Sequence, residues 1–165
     1  MKRLRYQNGG IDATDVAIVR ALSEDARVTM AHLSKAVGLS APSVTERVRR
    51  LEEAGIVRRY EATIDPAALG LPIAAYIRVR PMPGQLRKAA EVLAGLEAVV
   101  QCDRVTGEDC FIAKAHVRSV EHLEAVIDAI MPYAMTNTSV IQSSPVKRRL
   151  PPLPRSGRQT GVSAI

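Results

Sequence analysis

Tryptophan is missing from this chain, phenylalanine occurs once, and aromatic residues fill 3% of its 165 positions. That poverty excludes an aromatic stacking platform of the kind that holds single strands or RNA. Cysteine is scarce as well. Cys102 and Cys110 are too few for a disulfide framework or a zinc site. They read as buried structural thiols, with a redox pair flanking one hairpin as the alternative. His32, His116 and His122 lack metal-ligand spacing and read as surface or packing residues, so no metal is expected. No apolar run approaches membrane-spanning length, and residues 1–10 are polar and basic without an apolar core. Neither a membrane partner nor a secretory signal is expected, and the location that follows is cytoplasmic.

Charge is present but uneven. The net charge is +6, yet residues 1–60 carry 11 Lys/Arg against 7 Asp/Glu and residues 61–142 carry 7 against 10. Residues 143–165 carry 5 Lys/Arg and no acid. Two basic ends around a mildly acidic middle suit a chain whose first part meets phosphates while the middle does something else. With 47% apolar residues the chain can build the cores of one or two small domains.

The densest information lies between Thr29 and Tyr60. Met30, Leu33, Ala36 and Val37 recur at helical spacing, Gly38 breaks the run, and Leu39 plugs the corner. Ser40 is a good N-cap, and Pro42 falls in the first turn of the next helix, where a missing N–H costs little. Val44, Val48 and Leu51 then share an inner face, with Ser43, Arg47 and Arg50 on another side. Gly55 ends this helix, and Ile56 and Val57 resume the core. An earlier helix over Ile11 to Ala26, with Asp12 as N-cap, Asp15 in its first turn and Ile18, Val19 and Leu22 inward, completes a three-helix unit.

This order predicts a helix-turn-helix, winged-helix-like, whose partner is double-stranded DNA. The plainer alternative is a pair of amphipathic helices in some other small domain, with arginines on a solvated face. On the DNA reading Arg47 is the main base reader, and the short Ser43 and Thr45 let the helix N-terminus approach base edges. Ser40, Arg49 and Arg50 position through phosphates, while Arg58 and Arg59 brace the flanking backbone.

The second half alternates strands and helices. Ile73, Ala75, Ile77 and Val79 alternate with Ala74, Tyr76, Arg78 and Arg80, a strand stopped by Pro81 and Pro83. A helix from Leu86 closes at Gly95, and strands over Val99–Thr106 and Cys110–Val117 join through Gly107-Glu108-Asp109. Ser119 caps another helix that Pro132 stops, and Thr136 to Gln142 is the last strand. The fold class is therefore α+β, with a C-terminal ferredoxin-like βαββαβ domain.

The expected organisation is a flexible basic N-terminus over 1–10, the DNA-binding domain over 11–60, a linker over 61–70 and the sheet domain over 71–146. A basic tail over 147–165 has little to bury from Pro151 on and is expected to be disordered. One sheet face stays uncovered, and Ala74, Tyr76, Val100 and Cys102 on it are too apolar to leave wet. A second copy is the simplest cover, so a dimer is expected.

These residues together resemble the Lrp/AsnC (feast/famine) family of transcription regulators, from about Ile11 to Val146. The match rests on Asp12-x-x-Asp15-x-x-Ile18-Val19, Leu33-x-x-x-Val37-Gly38-Leu39-Ser40, Glu46-Arg47-Val48-x-x-Leu51-Glu52-x-x-Gly55-Ile56 and Val105-Thr106-Gly107. The resemblance implies no cofactor and no catalysis. It implies a second domain that dimerises, assembles further into forms such as octamers, and senses a small molecule, typically an amino acid, between dimers.

Carried over, the effector loop is Thr106-Gly107-Glu108-Asp109, followed by Cys110 where many members have aspartate. Glu108 or Asp109 would accept an α-ammonium and the backbone N–H groups around Gly107 would hold a carboxylate, with Thr138 a further candidate. Read without the family, the same residues make a good hairpin turn. Two other functions remain open at this level. One is an architectural protein that wraps DNA with little sequence preference; the other is a haem-pathway decarboxylase-like enzyme using His116 or His122.

Overall fold

The computed structural model describes residues 10–154. The expected flexible N-terminus and the tail beyond Pro154 lie outside the described residues. The described residues divide into two compact units: those up to Thr63 together with those from Arg148 on, and Ile64–Lys147.

The first unit is built on three helices. Helix α1 spans Ala13–Glu24, α2 spans Met30–Val37 and α3 spans Ala41–Glu53. Asp12 and Asp15 cap the start of α1 reciprocally: Asp15 N–H donates to Asp12 Oδ1 at 2.7 Å, and Asp12 N–H to Asp15 Oδ2 at 3.4 Å. Thr29 caps α2, and Gly38, at φ 68°, ends it in the left-handed region, where an L side chain is strained. Ser40 then caps α3 with Pro42 in the first turn. Ile18, Val19, Leu22, Leu33, Val44, Val48 and Leu51 form the core, and Leu39 packs against it as the corner plug.

Two expectations for this unit are corrected. Ile56 is exposed and Val57 alone of the two packs against the core, although the N–H groups of both turn back onto the Leu51 carbonyl. Among the described residues, 57–65 carry no strand. The tail also has something to bury: Leu153 is half-buried against this core. Pro151, Pro152 and Pro154 explain how one side chain suffices, since fixed φ angles leave little backbone entropy to lose on docking.

The second unit is an antiparallel sheet with two helices on one face. Strands β1 (Ile73–Pro81), β2 (Val99–Arg104), β3 (Phe111–Val117) and β4 (Ala134–Val140) stand in the order β2-β3-β1-β4. Helices α4 (Leu86–Gly95) and α5 (Val120–Ile130) complete the βαββαβ succession. Ala75, Ile77 and Val79 with Phe111, Ala113, Ala115 and Val117 meet Ala89 and Leu93 of α4 and Leu123, Val126 and Ile130 of α5. Strand β4 begins two residues before the expected Thr136, because pairing with β1 runs on to Pro81 opposite Ala134.

The opposite face carries Tyr76, Arg78 and Arg80 from β1, Ile112, Lys114 and His116 from β3, and Met135, Asn137 and Ser139 from β4. It is mixed rather than simply apolar. Cys102 does not share it. A β-bulge between Val99 and Gln101 inserts a residue, reverses the alternation and pairs Cys102 with core-facing Ala113. As a residue Cys102 is nevertheless exposed on this edge strand, its sulfur only partly covered, so the expectation of two buried cysteines fails for it. Burial of its sulfur and the neighbouring Asp103 carboxylate push that thiol's pKa up, which disfavours the reactive thiolate.

Candidate functional site

Helix α3 owes its orientation to its own sequence. Val44, Val48 and Leu51 are buried, which leaves Pro42, Ser43, Thr45, Glu46, Arg49 and Arg50 outside. At its N-terminus Ser40 Oγ and Ser43 Oγ lie 2.8 Å apart, and Ser43 N–H donates to Ser40 Oγ at 3.3 Å. Thr45 Oγ1 donates to the Ala41 carbonyl at 2.9 Å. The first turn therefore presents short hydroxyls around the positive end of the helix dipole, a surface that accommodates an anionic backbone.

The four basic side chains stand in three situations. Arg50 and Arg58 are exposed, with no hydrogen bond or ion pair to any described residue. Arg49 lies between Glu46, at 2.6 Å from Nη2 and 2.9 Å from Nε, and Glu53. Hydrogen bonding to Glu46 raises its pKa further, and the same contact lowers that of Glu46. These are exposed i,i+3 and i,i+4 pairs, easily exchanged for phosphate. Arg59 pairs with Glu61, which Arg148 of the tail also approaches at 3.9 Å.

Arg47 departs from expectation. Its Nη1 donates to Asp12 Oδ2 at 2.7 Å and to Asp15 Oδ1 at 2.8 Å, with the side chain 24% exposed. The helical wheel gives the reason. Arg47 follows Val44 by three residues and precedes Leu51 by four, which puts it on the shoulder of the buried face. On this geometry the side chain turns to those aspartates and does not project outward as expected. Hydrogen bonds to Asp12 and then Asp15 raise its pKa. Burial pushes Asp12 up, but the Asp15 N–H and the Arg47 guanidinium outweigh it and hold that carboxyl low.

Beside α3 lies a groove of about 480 Å³, lined among others by Leu22, Val28, Met30, Val48, Glu52 and Tyr60. Tyr60 Oη donates to Glu52 Oε1 at 2.6 Å. Burial, then the hydrogen bond and charge of Glu52, push the phenol up to about 12.

The second candidate region is the hairpin between β2 and β3. Gly107 has φ 114°, a conformation that favours glycine, and Val105 N–H donates to the Cys110 carbonyl at 2.9 Å to close the loop. Thr106 and Glu108 are exposed, Asp109 and Cys110 are half-buried, and Cys110 packs on the sheet core. Glu108, 84% exposed, is ion-paired with Arg80 of β1, so the chain itself supplies a cation to this carboxylate. Thr138 is not gathered here. It pairs with core-facing Ile77 on edge strand β4, away from the face that carries Arg80, and its Oγ1 is enclosed without a hydrogen-bond partner among the described residues. His116 and His122 do not converge either. His116 pairs with Ala74 on the open face, whereas His122 sits in the first turn of α5, where its N–H donates to Ser119 Oγ. No cluster of three or more His, Cys, Asp or Glu fit for a metal occurs among the described residues.

Sequence reasoning missed the Arg47 clamp, the Tyr60–Glu52 bond and the Arg80–Glu108 pair. Only the first left a signal, in two aspartates at one helix start and an arginine off the outer face.

Known proteins resemble both units. A family described as winged helix-turn-helix DNA-binding matches residues 11–58, and one described as Lrp/AsnC ligand binding domain matches residues 74–151. The HTH-type transcriptional regulator LrpC of Bacillus subtilis is 35% identical over 133 residues, covering 81% of this chain and 92% of its own. Its solved structure superposes with a TM-score of 0.80 at 33% identity, over 85% of this chain and 100% of that one. A feast or famine regulatory protein from M. tuberculosis, complexed with L-methionine, gives 0.78 at 33% identity over 86% and 98%. A Neisseria meningitidis transcriptional regulator in complex with L-Met gives 0.79 at 28% identity over 86% and 97%.

Proposed function

Because this chain belongs to the Lrp/AsnC family of DNA-binding transcriptional regulators, we propose that α3 enters the major groove, with Arg50 and Ser43 reading base edges. Ser40, Arg49 and Arg58 position the domain through phosphates, and Thr45 is short enough to let the helix approach. The observation that supports this most is the state of Arg50: exposed, on the outer side of a capped helix, with no ion pair to an acid among the described residues. Arg50→Ala is expected to cost about 1–3 kcal/mol at a preferred site and to flatten preference there. Unchanged preference in a binding titration would remove Arg50 from that role.

The effector in this proposal is an α-amino acid held by the Thr106–Cys110 loop. Glu108 exchanges Arg80 for the ammonium, Asp109 stands beside it, and the backbone around Gly107 meets the carboxylate. L-methionine in two related structures supports the class. The loop would lie between dimers that pair through the open sheet face and associate further, in forms such as an octamer, in the cytoplasm. Titration with L-methionine and the other amino acids in a calorimeter is expected to give heat for at least one of them, lost in Glu108→Ala. No response to any amino acid would refute the sensing role.

A further inference from the structure

We infer that Arg47 is a positioning residue for DNA recognition: by holding Asp12 and Asp15 together it fixes the azimuth of α3 on its domain, and its guanidinium stays with those aspartates when DNA is bound. The inference rests on reading α3 as the helix that meets DNA. An Nη atom of arginine carries two hydrogens, and both on Nη1 are committed, to Asp12 Oδ2 at 2.7 Å and Asp15 Oδ1 at 2.8 Å. Those aspartates are themselves locked by the reciprocal cap at the start of α1. One guanidinium nitrogen thus joins the N-terminus of the first helix to the middle of the third, 32 and 35 residues further along the chain.

The burial of Asp15 decides where Arg47 stays. At 2% exposure it is the one buried charged residue among those described. Moving the guanidinium out to a phosphate would break two charge-assisted hydrogen bonds, one of them to this enclosed carboxylate, in exchange for one solvent-screened phosphate contact. Arg49 and Arg50, outside the clamp, can contact DNA at no such cost. Without the clamp, α3 relies on the apolar packing of Val44, Val48 and Leu51 and the Tyr60–Glu52 bond at its far end, and apolar packing tolerates small rotations that base-edge hydrogen bonds do not.

The aspartates separate this role from direct reading, because the two predict opposite signs. Affinity is measured for a preferred site and for random DNA, over a range of salt concentrations, at a temperature where circular dichroism shows every variant folded. Asp12→Asn, whose side chain is half-exposed, loosens the clamp without stranding a buried charge. It is expected to lower the ratio of specific to random binding about tenfold with the salt slope unchanged. Arg47→Ala is expected to do the same and to add little on top of Asp12→Asn. If Arg47 instead touches DNA, Asp12→Asn frees it and removes a negative charge, so binding tightens, and Arg47→Ala reduces the salt slope by about one; either result overturns the inference. A specificity ratio unchanged in the folded variants also overturns it, leaving the clamp a matter of stability alone. Wild-type protein without preference for any DNA would instead overturn the reading of α3, and this inference with it.

Discussion

At the scale of single residues, polar groups that meet their partners inside the first unit are set by chemistry that the linear pattern records only in part. Asp12 as a cap and Asp15 in the first turn follow from local rules, and both stand where those rules put them. Their link to Arg47 does not follow, because periodicity gives a residue's face but not the acid that waits opposite it. Tyr60 is a second case, read as the end of a motif and found hydrogen-bonded to Glu52. With its pKa at about 12, its neutral form contributes stability that is complete below the ordinary value of 10.0 and lost as pH rises through 12. Phenolate absorbance during an alkaline titration is expected to show one tyrosine ionising near 12, absent in Tyr60→Phe. A Tyr60 that titrates near 10 would mean the bond to Glu52 does not form in solution.

At the scale of elements, helices were more legible than strand details. Caps, glycine stops and apolar spacing located α1, α2 and α3 within two residues of their ends, since each signal acts within one turn. Ser40 illustrates the size of such a signal. Ser40→Ala is expected to destabilise the first unit by about 1 kcal/mol in urea unfolding, with Ser40→Asp restoring most of it. The bulge in β2 carries no turn residue and no break in hydrophobicity, so the side taken by Cys102 was not readable. Whether a loop carboxylate already has a partner is equally invisible. Glu108 finds Arg80 at 28 residues' separation, through a register that only the folded sheet defines.

For the whole molecule, the succession of elements was legible because the helix-turn-helix order and the βαββαβ order each leave few topologies open. The docking of Leu153 was not, as a lone leucine among prolines looks the same whether bound or free. The open sheet face sets the assembly prediction. Tyr76, 46% exposed at mid-strand between Lys114 and Ser139, would lie inside a face-to-face dimer. Tyr76→Asp is expected to shift sedimentation from dimer or larger species toward monomer. An unchanged profile would place the self-contact elsewhere.

The central claim is that this chain selects particular DNA sequences. The measurement that tests it most directly is selection of fragments of the source genome by the purified full-length protein, followed by sequencing of the bound DNA. Enrichment of an imperfect palindrome, with half-sites about one helical turn or a multiple of it apart, is the predicted result. Broad enrichment without a common sequence would contradict the claim and point to an architectural role, and no enrichment at all would contradict it outright.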